Sequence, residues 1–284
     1  MRIGLRIVSM IAVLGCTLAY TAEPTTVEEL KEHFKTFGPA PDTFTADYSM
    51  SMNMAATGQP QAAAMGEMSM GGTMKVKGET TLMKMKMSMG IEGQGMEMKM
   101  DMHQKDNVMT MLIDMGGMTQ AMKMDLSVMK ELADAMGVPE SALNSSNMGM
   151  GMMGNPAKML EQYEQMYSIK LVGKESLNGE DVYVLSATML DETLENLQKS
   201  PMLQGQTDMY ENEVKLYLGA KDGVMRKMEM GDVMSMTLEN IDLGATISDA
   251  DLELNIPEGI QVIDMTEMMK GMFGNMAVSG DDSK

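Results

Sequence analysis

The sequence has few of the residues that support catalysis, disulfide bonding or aromatic packing. Its 284 residues include one cysteine, two histidines, four phenylalanines and no tryptophan. A single cysteine cannot close a disulfide within the chain, so the fold must be held together by core burial. Zinc needs clustered histidine or cysteine ligands, which this sequence lacks. It also has no G-x-S-x-G motif, which would mark a serine nucleophile. We therefore expect a binding protein with no catalytic residue and no cofactor, not an enzyme.

Positive charge is also scarce. The formal net charge of the chain is −19 at pH 7. Such a charge disfavours binding to nucleic-acid phosphates and electrostatic attraction to anionic lipid surfaces. We therefore expect no nucleic-acid partner.

A long, uncharged apolar run occurs at the N-terminus and nowhere else. Arg2 and Arg6 precede a run from Ile7 to Leu18, and polar residues follow from Tyr20 onward. This order predicts a secretory signal peptide over residues 1–22. The run is shorter than the roughly 20 apolar residues that a membrane span needs.

Two cleavage sites remain open within this segment. Val13-Leu14-Gly15-Cys16 resembles the lipobox of bacterial lipoproteins, in which cleavage before Cys16 leaves its thiol as a lipid anchor. Cleavage after Ala19 is the alternative. Both predict a protein of the bacterial cell envelope, either periplasmic or lipid-anchored in the membrane, and neither points to a particular delivery partner.

Methionine is the residue in excess, with 44 copies. In several segments it alternates with Lys, Ser, Glu or Asp. Because successive side chains of a strand point to opposite faces, each such strand has one thioether face and one polar face. This pattern predicts an antiparallel sheet that is wet on one side and either covered or cavity-lining on the other. The predicted cavity residues are Met50, Met52, Met54, Met83, Met85, Met87, Met89, Met96, Met98, Met100, Met109 and Met111.

Helical patterns precede and interrupt these strands. Residues 26–37 carry apolar side chains at helical spacing, residues 125–136 do so again, and Pro156 opens a third helix through about Met166. Strands followed by helices and then by more strands favour an α+β fold in which helices cover one face of a large antiparallel sheet. We expect one domain over residues 24–264 and a flexible, Met- and Gly-rich tail over residues 265–284.

Turn residues place the remaining strands. Asn178-Gly179 and Lys221-Asp222-Gly223 each predict a hairpin, and Gly71-Gly72 and Gly116-Gly117 predict turns. The alternation of Leu252, Leu254 and Ile256 predicts a further strand. Asp249 and Asp251, just before it, are expected to be turn and cap residues.

Two segments of the second half resemble a known family. Gly173-Lys174-Glu175-Ser176-Leu177-Asn178-Gly179-Glu180-Asp181-Val182-Tyr183-Val184-Leu185 is similar to a hairpin of LolA-type outer-membrane lipoprotein carriers and sorting proteins, and residues 247–263 are similar to their closing segment. The resemblance implies an unclosed, strongly curved antiparallel half-barrel with helices over its concave face. It also implies a cavity for a lipid or the acyl chains of a lipoprotein. Aromatic residues, which line the cavity in that family, are scarce here, and methionine occupies the alternating positions instead.

The methionines allow three interpretations. They can serve as an ordinary core, or they can line a deformable cavity for acyl chains, because unbranched thioethers repack around varied apolar ligands. They can also bind Cu(I) or Ag(I), which soft thioethers select. The residues for such a metal site would be Met100, Met102, His103, Met148 and Met150.

Overall fold

The computed structural model describes residues 23–38, 41–57, 66–91, 94–128, 155–199 and 211–268. Several predictions concern residues outside these ranges. They are the signal peptide with Cys16, most of the helix expected at 125–136, the segment containing Met148 and Met150, and most of the C-terminal tail.

Helix α1 spans Val27–Lys35, as its apolar spacing predicts. Thr26 caps its N-terminus, since the Thr26 side chain accepts a hydrogen bond from the Glu29 backbone N–H. The Glu29 carboxylate accepts hydrogen bonds from the backbone and hydroxyl of Thr25, and these bonds lower its pKa. Leu30 and Phe34 are fully buried, so the predicted face of the helix is the one that packs.

In the described part of the chain, twelve strands form one sheet. They are β1 (Thr43–Asn53), β2 (Glu67–Lys77), β3 (Thr80–Ile91), β4 (Gln94–Lys105), β5 (Val108–Met115), β6 (Met118–Asp125), β7 (Tyr167–Leu177), β8 (Glu180–Met189), β9 (Val214–Gly219), β10 (Met225–Met230), β11 (Met234–Leu243) and β12 (Val262–Asp264). Their order is β12-β6-β5-β4-β3-β2-β1-β11-β10-β9-β8-β7. The β12–β6 pair is parallel and the other pairs are antiparallel. The sheet is open, with β12 and β7 at its edges, and the curved antiparallel fold expected from the sequence is confirmed.

Helix α2 spans Pro156–Tyr163 and packs against α1. Asn155 caps it, and Pro156 occupies the first turn, where a missing N–H has no cost. The buried Lys31 ammonium of α1 lies 2.8 Å from a Glu164 carboxylate oxygen and 2.6 Å from one of Glu28. Desolvation lowers the Lys31 pKa, but the two carboxylates outweigh it and the net shift is upward. This ion pair fixes the two helices to each other.

A third helix, α3 (Asp191–Lys199), follows β8 and was not predicted from the sequence. No helix among the residues described here is long and apolar enough to cross a membrane.

The main core lies between the two packed helices and the C-terminal half of the sheet. Leu30, Phe34 and Leu160 of the helices contact Leu185 and Leu216 of the strands. A second cluster covers the middle of the same face, around Phe44, Tyr48, Met74, Val76 and Leu238. The helices therefore cover one half of the sheet face, and side chains of the strands themselves fill its middle.

Most predicted turns are confirmed, because residues that tolerate positive φ occupy them. Asn178 has φ 52° and Gly179 has φ 85° between β7 and β8, and Gly116 and Gly117 have φ 62° and 106° between β5 and β6. The turn predicted at Gly71-Gly72 is wrong, since both residues lie inside β2. A Cβ on Gly72 would lie 1.8 Å from the Lys84 carbonyl oxygen, so this glycine serves close backbone approach within the sheet.

The strand predicted at Leu252, Leu254 and Ile256 is also wrong. A 3₁₀ helix covers Asp249–Leu252, and an irregular segment leads from it to β12. Leu252 and Ile247 pack against Leu82 of β3. The alternating leucines of this segment are therefore explained by packing on the sheet and not by pairing as a strand. The carboxylates act as expected, because Asp251 accepts hydrogen bonds from the backbone and hydroxyl of Ser248, which with Lys75 lower its pKa.

Candidate functional site

Every methionine within the twelve strands lies on the same face of the sheet. The strand registers place most of these methionines opposite another methionine or an apolar residue, and alternation keeps the intervening Lys, Ser, Glu and Asp residues on the opposite side. On β3, for example, Met85 and Met87 share one face, and Lys84 and Lys86 share the other. We call the methionine-bearing side the thioether face.

Cross-strand pairing arranges these methionines in rows that run perpendicular to the strands. One row contains Met230, Met234, Met52, Met68, Met89 and Met96. The next contains Met228, Met236, Met50, Met70, Met87 and Met98. A third contains Met74, Met83, Met102, Met111 and Met122. Directly opposed side chains have Cβ atoms about 4.5–5.5 Å apart, so each row is a continuous thioether surface.

Exposure changes along these rows. Met225, Met228 and Met236, which lie in the core beneath the helices, are 1%, 7% and 6% exposed. On β3 and β4 the methionines are half-buried, and Met96 is 48% exposed. The thioether face is therefore core at one end and accessible surface at the other.

Among the described residues of the thioether face, the buried hydroxyl groups of Tyr48 and Thr81 have no hydrogen-bond partner. Tyr48 pairs with Gly72 across β1 and β2, and packs with Met70, Met83 and Met85. Burial raises the pKa of the Tyr48 phenol, because the charged form is disfavoured in apolar surroundings. Gln104 and Gln120 add two further polar side chains to this face, because Gln104 pairs with Thr81 and Gln120 pairs with Ile113.

The structure places eleven of the predicted cavity residues on this face. They are Met50, Met52, Met83, Met85, Met87, Met89, Met96, Met98, Met100, Met109 and Met111. Met54 is the exception, because β1 ends at Asn53 and Met54 begins a 3₁₀ turn. Alternation does not continue through a helical turn, so Met54 is not part of the rows.

Sequence reasoning missed the methionines of β2 and β6 as members of this surface. Met68 and Met70 alternate with Ser69, and Met122 and Met124 alternate with Lys123, which is the signal used on the other strands. On β2 the assignment of Gly71-Gly72 to a turn hid the strand. The methionines of β10 and β11 were not distinguished from ordinary core residues either.

The predicted metal ligands that the structure describes do not all share one face of the sheet, and Met148 and Met150 lie outside the described residues. His103 pairs with Leu82 on the polar side of the sheet, whereas Met100 and Met102 lie on the thioether face. His103 lines a cleft of about 550 Å³ with Lys77, Lys105 and Asp249, where burial and then Lys105 lower its pKa. Within the described ranges no three His, Cys, Asp or Glu residues are grouped as metal ligands.

No protein-family model matches this chain, and no curated protein matches it. Solved structures do show likeness. LprF from Mycobacterium bovis is 12% identical with a TM-score of 0.38, and the match covers 84% of this chain and 100% of that one. The lipoprotein LppX from Mycobacterium tuberculosis is 8% identical with a TM-score of 0.35, covering 81% and 97%. MucB is 14% identical with a TM-score of 0.35, and this chain spans 66% of its length. At identities and TM-scores this low, the likeness does not indicate a shared ligand or activity.

Proposed function

We propose that this chain is an exported binding protein that holds an apolar ligand, a lipid or the acyl chains of a lipoprotein, against the thioether face. One observation carries the proposal. All strand methionines share one face, and their exposure rises from the helix-covered half toward β3 and β4, where Met96 is 48% exposed. A core that needed only hydrophobic filling would not extend such rows onto accessible strands.

The physical reason is that contiguous exposed apolar surface is costly for a soluble protein. Contiguous exposed apolar patches mark binding sites, whereas single scattered apolar residues do not. Burial of each ligand methylene contributes about 0.8 kcal/mol. Methionine side chains adjust to different ligand shapes because they are unbranched and polarizable. A thioether wall therefore favours binding of varied acyl chains over recognition of one rigid molecule.

The role is passive in this proposal, with binding and release but no bond making. The N-terminal segment supplies export, and Cys16 supplies a membrane anchor if cleavage occurs before it. Such a protein would take up an acylated molecule in the cell envelope and pass it on across the periplasm.

Substitution of Met85, Met87, Met98 and Met100 by glutamine tests this proposal. Glutamine keeps the length of the side chain but adds a polar amide, so we expect binding of a fluorescent fatty-acyl probe to weaken by at least about tenfold. The matched control replaces the same four residues by leucine, which keeps the surface apolar, and should bind the probe as the parent protein does. Both variants should unfold cooperatively in urea. A folded glutamine variant with unchanged probe binding would contradict the proposal.

Native mass spectrometry of the protein purified from a bacterial envelope fraction identifies the natural ligand class. The expected result is a co-purifying mass of a lipid or of an acylated peptide.

A further inference from the structure

Four methionines of β3 and β4 form a rectangle on the accessible half of the thioether face. Met87 pairs with Met98, and Met89 pairs with Met96. Met96 is 48% exposed and the other three are half-buried. This rectangle is therefore open to small solutes from solvent.

The spacing of the rectangle suits convergence of four sulfur atoms on one point. Neighbouring strands lie about 4.8 Å apart, and residues i and i+2 on one strand lie about 6.7 Å apart. The centre of such a rectangle is about 4 Å from each corner in the plane of the sheet. An unbranched methionine side chain with three rotatable bonds can direct its sulfur over that distance.

The donor set is chemically uniform. On the thioether face of β2, β3 and β4, as far as the side chains of these strands are described, there is no carboxylate and no imidazole. Ca²⁺ and Mg²⁺ require oxygen ligands, and Zn²⁺ prefers imidazole, thiolate or carboxylate. Neutral thioethers favour Cu(I) and, by the same softness, Ag(I).

We propose that Met87, Met89, Met96 and Met98 bind a soft monovalent cation of the Cu(I) class. This site differs from the one suggested by sequence spacing, because His103 lies on the opposite side of the sheet. The site shares these methionines with the proposed apolar-ligand surface, but metal binding depends on sulfur whereas acyl-chain binding depends on apolar area.

The experiment measures Ag(I) bound to the full chain by equilibrium dialysis and elemental mass spectrometry. Replacement of the four methionines by leucine removes the sulfurs and keeps the volume and apolar character. We expect this variant to lose about one tightly bound Ag(I) per chain and to unfold cooperatively in urea, as the parent protein does. Unchanged Ag(I) stoichiometry and affinity in the folded variant would overturn the proposal.

A matched control has the same geometry in the covered half of the face. Met228 pairs with Met236 and Met230 pairs with Met234, which makes an equivalent rectangle in which Met228 and Met236 are buried in the core and Met230 and Met234 are partly buried against it. Leucine at these four positions should leave the tight Ag(I) site intact. If the control loses that Ag(I) while the β3–β4 variant keeps it, the assignment to β3 and β4 is overturned.

The pH dependence gives a second readout. Thioethers do not titrate, so Ag(I) binding should stay constant between about pH 5 and pH 8, where an imidazole ligand with an ordinary pKa would become protonated. A loss of bound Ag(I) toward pH 5 would identify a histidine ligand and overturn the all-thioether site.

Discussion

At the scale of single residues, Tyr48 is the clearest conflict between burial and hydrogen bonding. Its side chain is 7% exposed, and its hydroxyl has no partner. Tyr217, by contrast, donates a hydrogen bond of 2.7 Å to the Glu229 carboxylate, and its pKa is raised to about 12, first by burial and then by that carboxylate. The Tyr48 hydroxyl therefore lowers the stability of the folded protein, whereas the Tyr217 hydroxyl raises it.

Replacement of Tyr48 by phenylalanine should raise the free energy of unfolding by about 1 kcal/mol, because it removes a buried hydroxyl that loses its water on folding and gains no partner. Replacement of Tyr217 by phenylalanine should lower it by about 0.5–1.5 kcal/mol, because a hydrogen bond is lost. Urea denaturation of both variants measures the difference. A loss of stability in the Tyr48 variant would show that its hydroxyl has a partner in solution.

At the scale of elements, β2 is defined by a glycine that brings two strands close together. A Cβ on Gly72 would lie 1.8 Å from the Lys84 carbonyl oxygen of β3, which leaves no room for a side chain. A Cβ on the preceding Gly71 would lie 3.4 Å from its nearest neighbour, the Tyr48 carbonyl oxygen, which is an ordinary contact distance. Neighbouring glycines in one strand thus differ in whether they accept a side chain.

Substitution of Gly72 by alanine should lower the free energy of unfolding by about 1–3 kcal/mol, because backbone atoms of β3 must move to make room for the Cβ. The Gly71→Ala variant is the matched control and should be neutral or slightly more stable, since alanine loses less backbone freedom on folding. Thermal unfolding of the two variants tests this pair of expectations. Equal midpoints would mean that β2 and β3 separate easily at this point.

At the scale of the whole molecule, the thioether face divides into a covered half and an accessible half. Sulfoxide formation follows exposure. During mild treatment with hydrogen peroxide, Met87, Met96 and Met98 should therefore oxidise well before Met225 and Met228.

Mass spectrometry of peptides after short exposures to the oxidant measures these rates residue by residue. The same treatment in concentrated urea serves as the control, since unfolding should make the rates equal. Similar rates for both halves in the folded protein would contradict the exposure gradient and, with it, the argument for an accessible binding surface.

Much of the fold is predictable because it depends on local patterns. The spacing of Leu30 and Phe34 predicts α1, Asn178-Gly179 predicts the β7–β8 hairpin, and alternation predicts the faces of β3 and β4. The wrong turn and strand predictions have a common cause. Gly71-Gly72 has the composition of a turn, and Leu252 and Leu254 have the period of a strand, but contacts with distant residues decide both.

The sequence by itself determined which side chains share a face, because the two-residue period of a strand needs no information beyond the strand. It also determined that the surface would be made of thioethers, with few aromatic rings and one cysteine. Only the tertiary structure decided which strands are neighbours, and therefore that Met87 lies opposite Met98 while His103 lies on the other side of the sheet from Met100. It also decided that α1 and α2 cover β8 to β11 and leave β3 and β4 accessible. The physical reason is that burial depends on packing between segments far apart in the chain, which local periodicity does not specify.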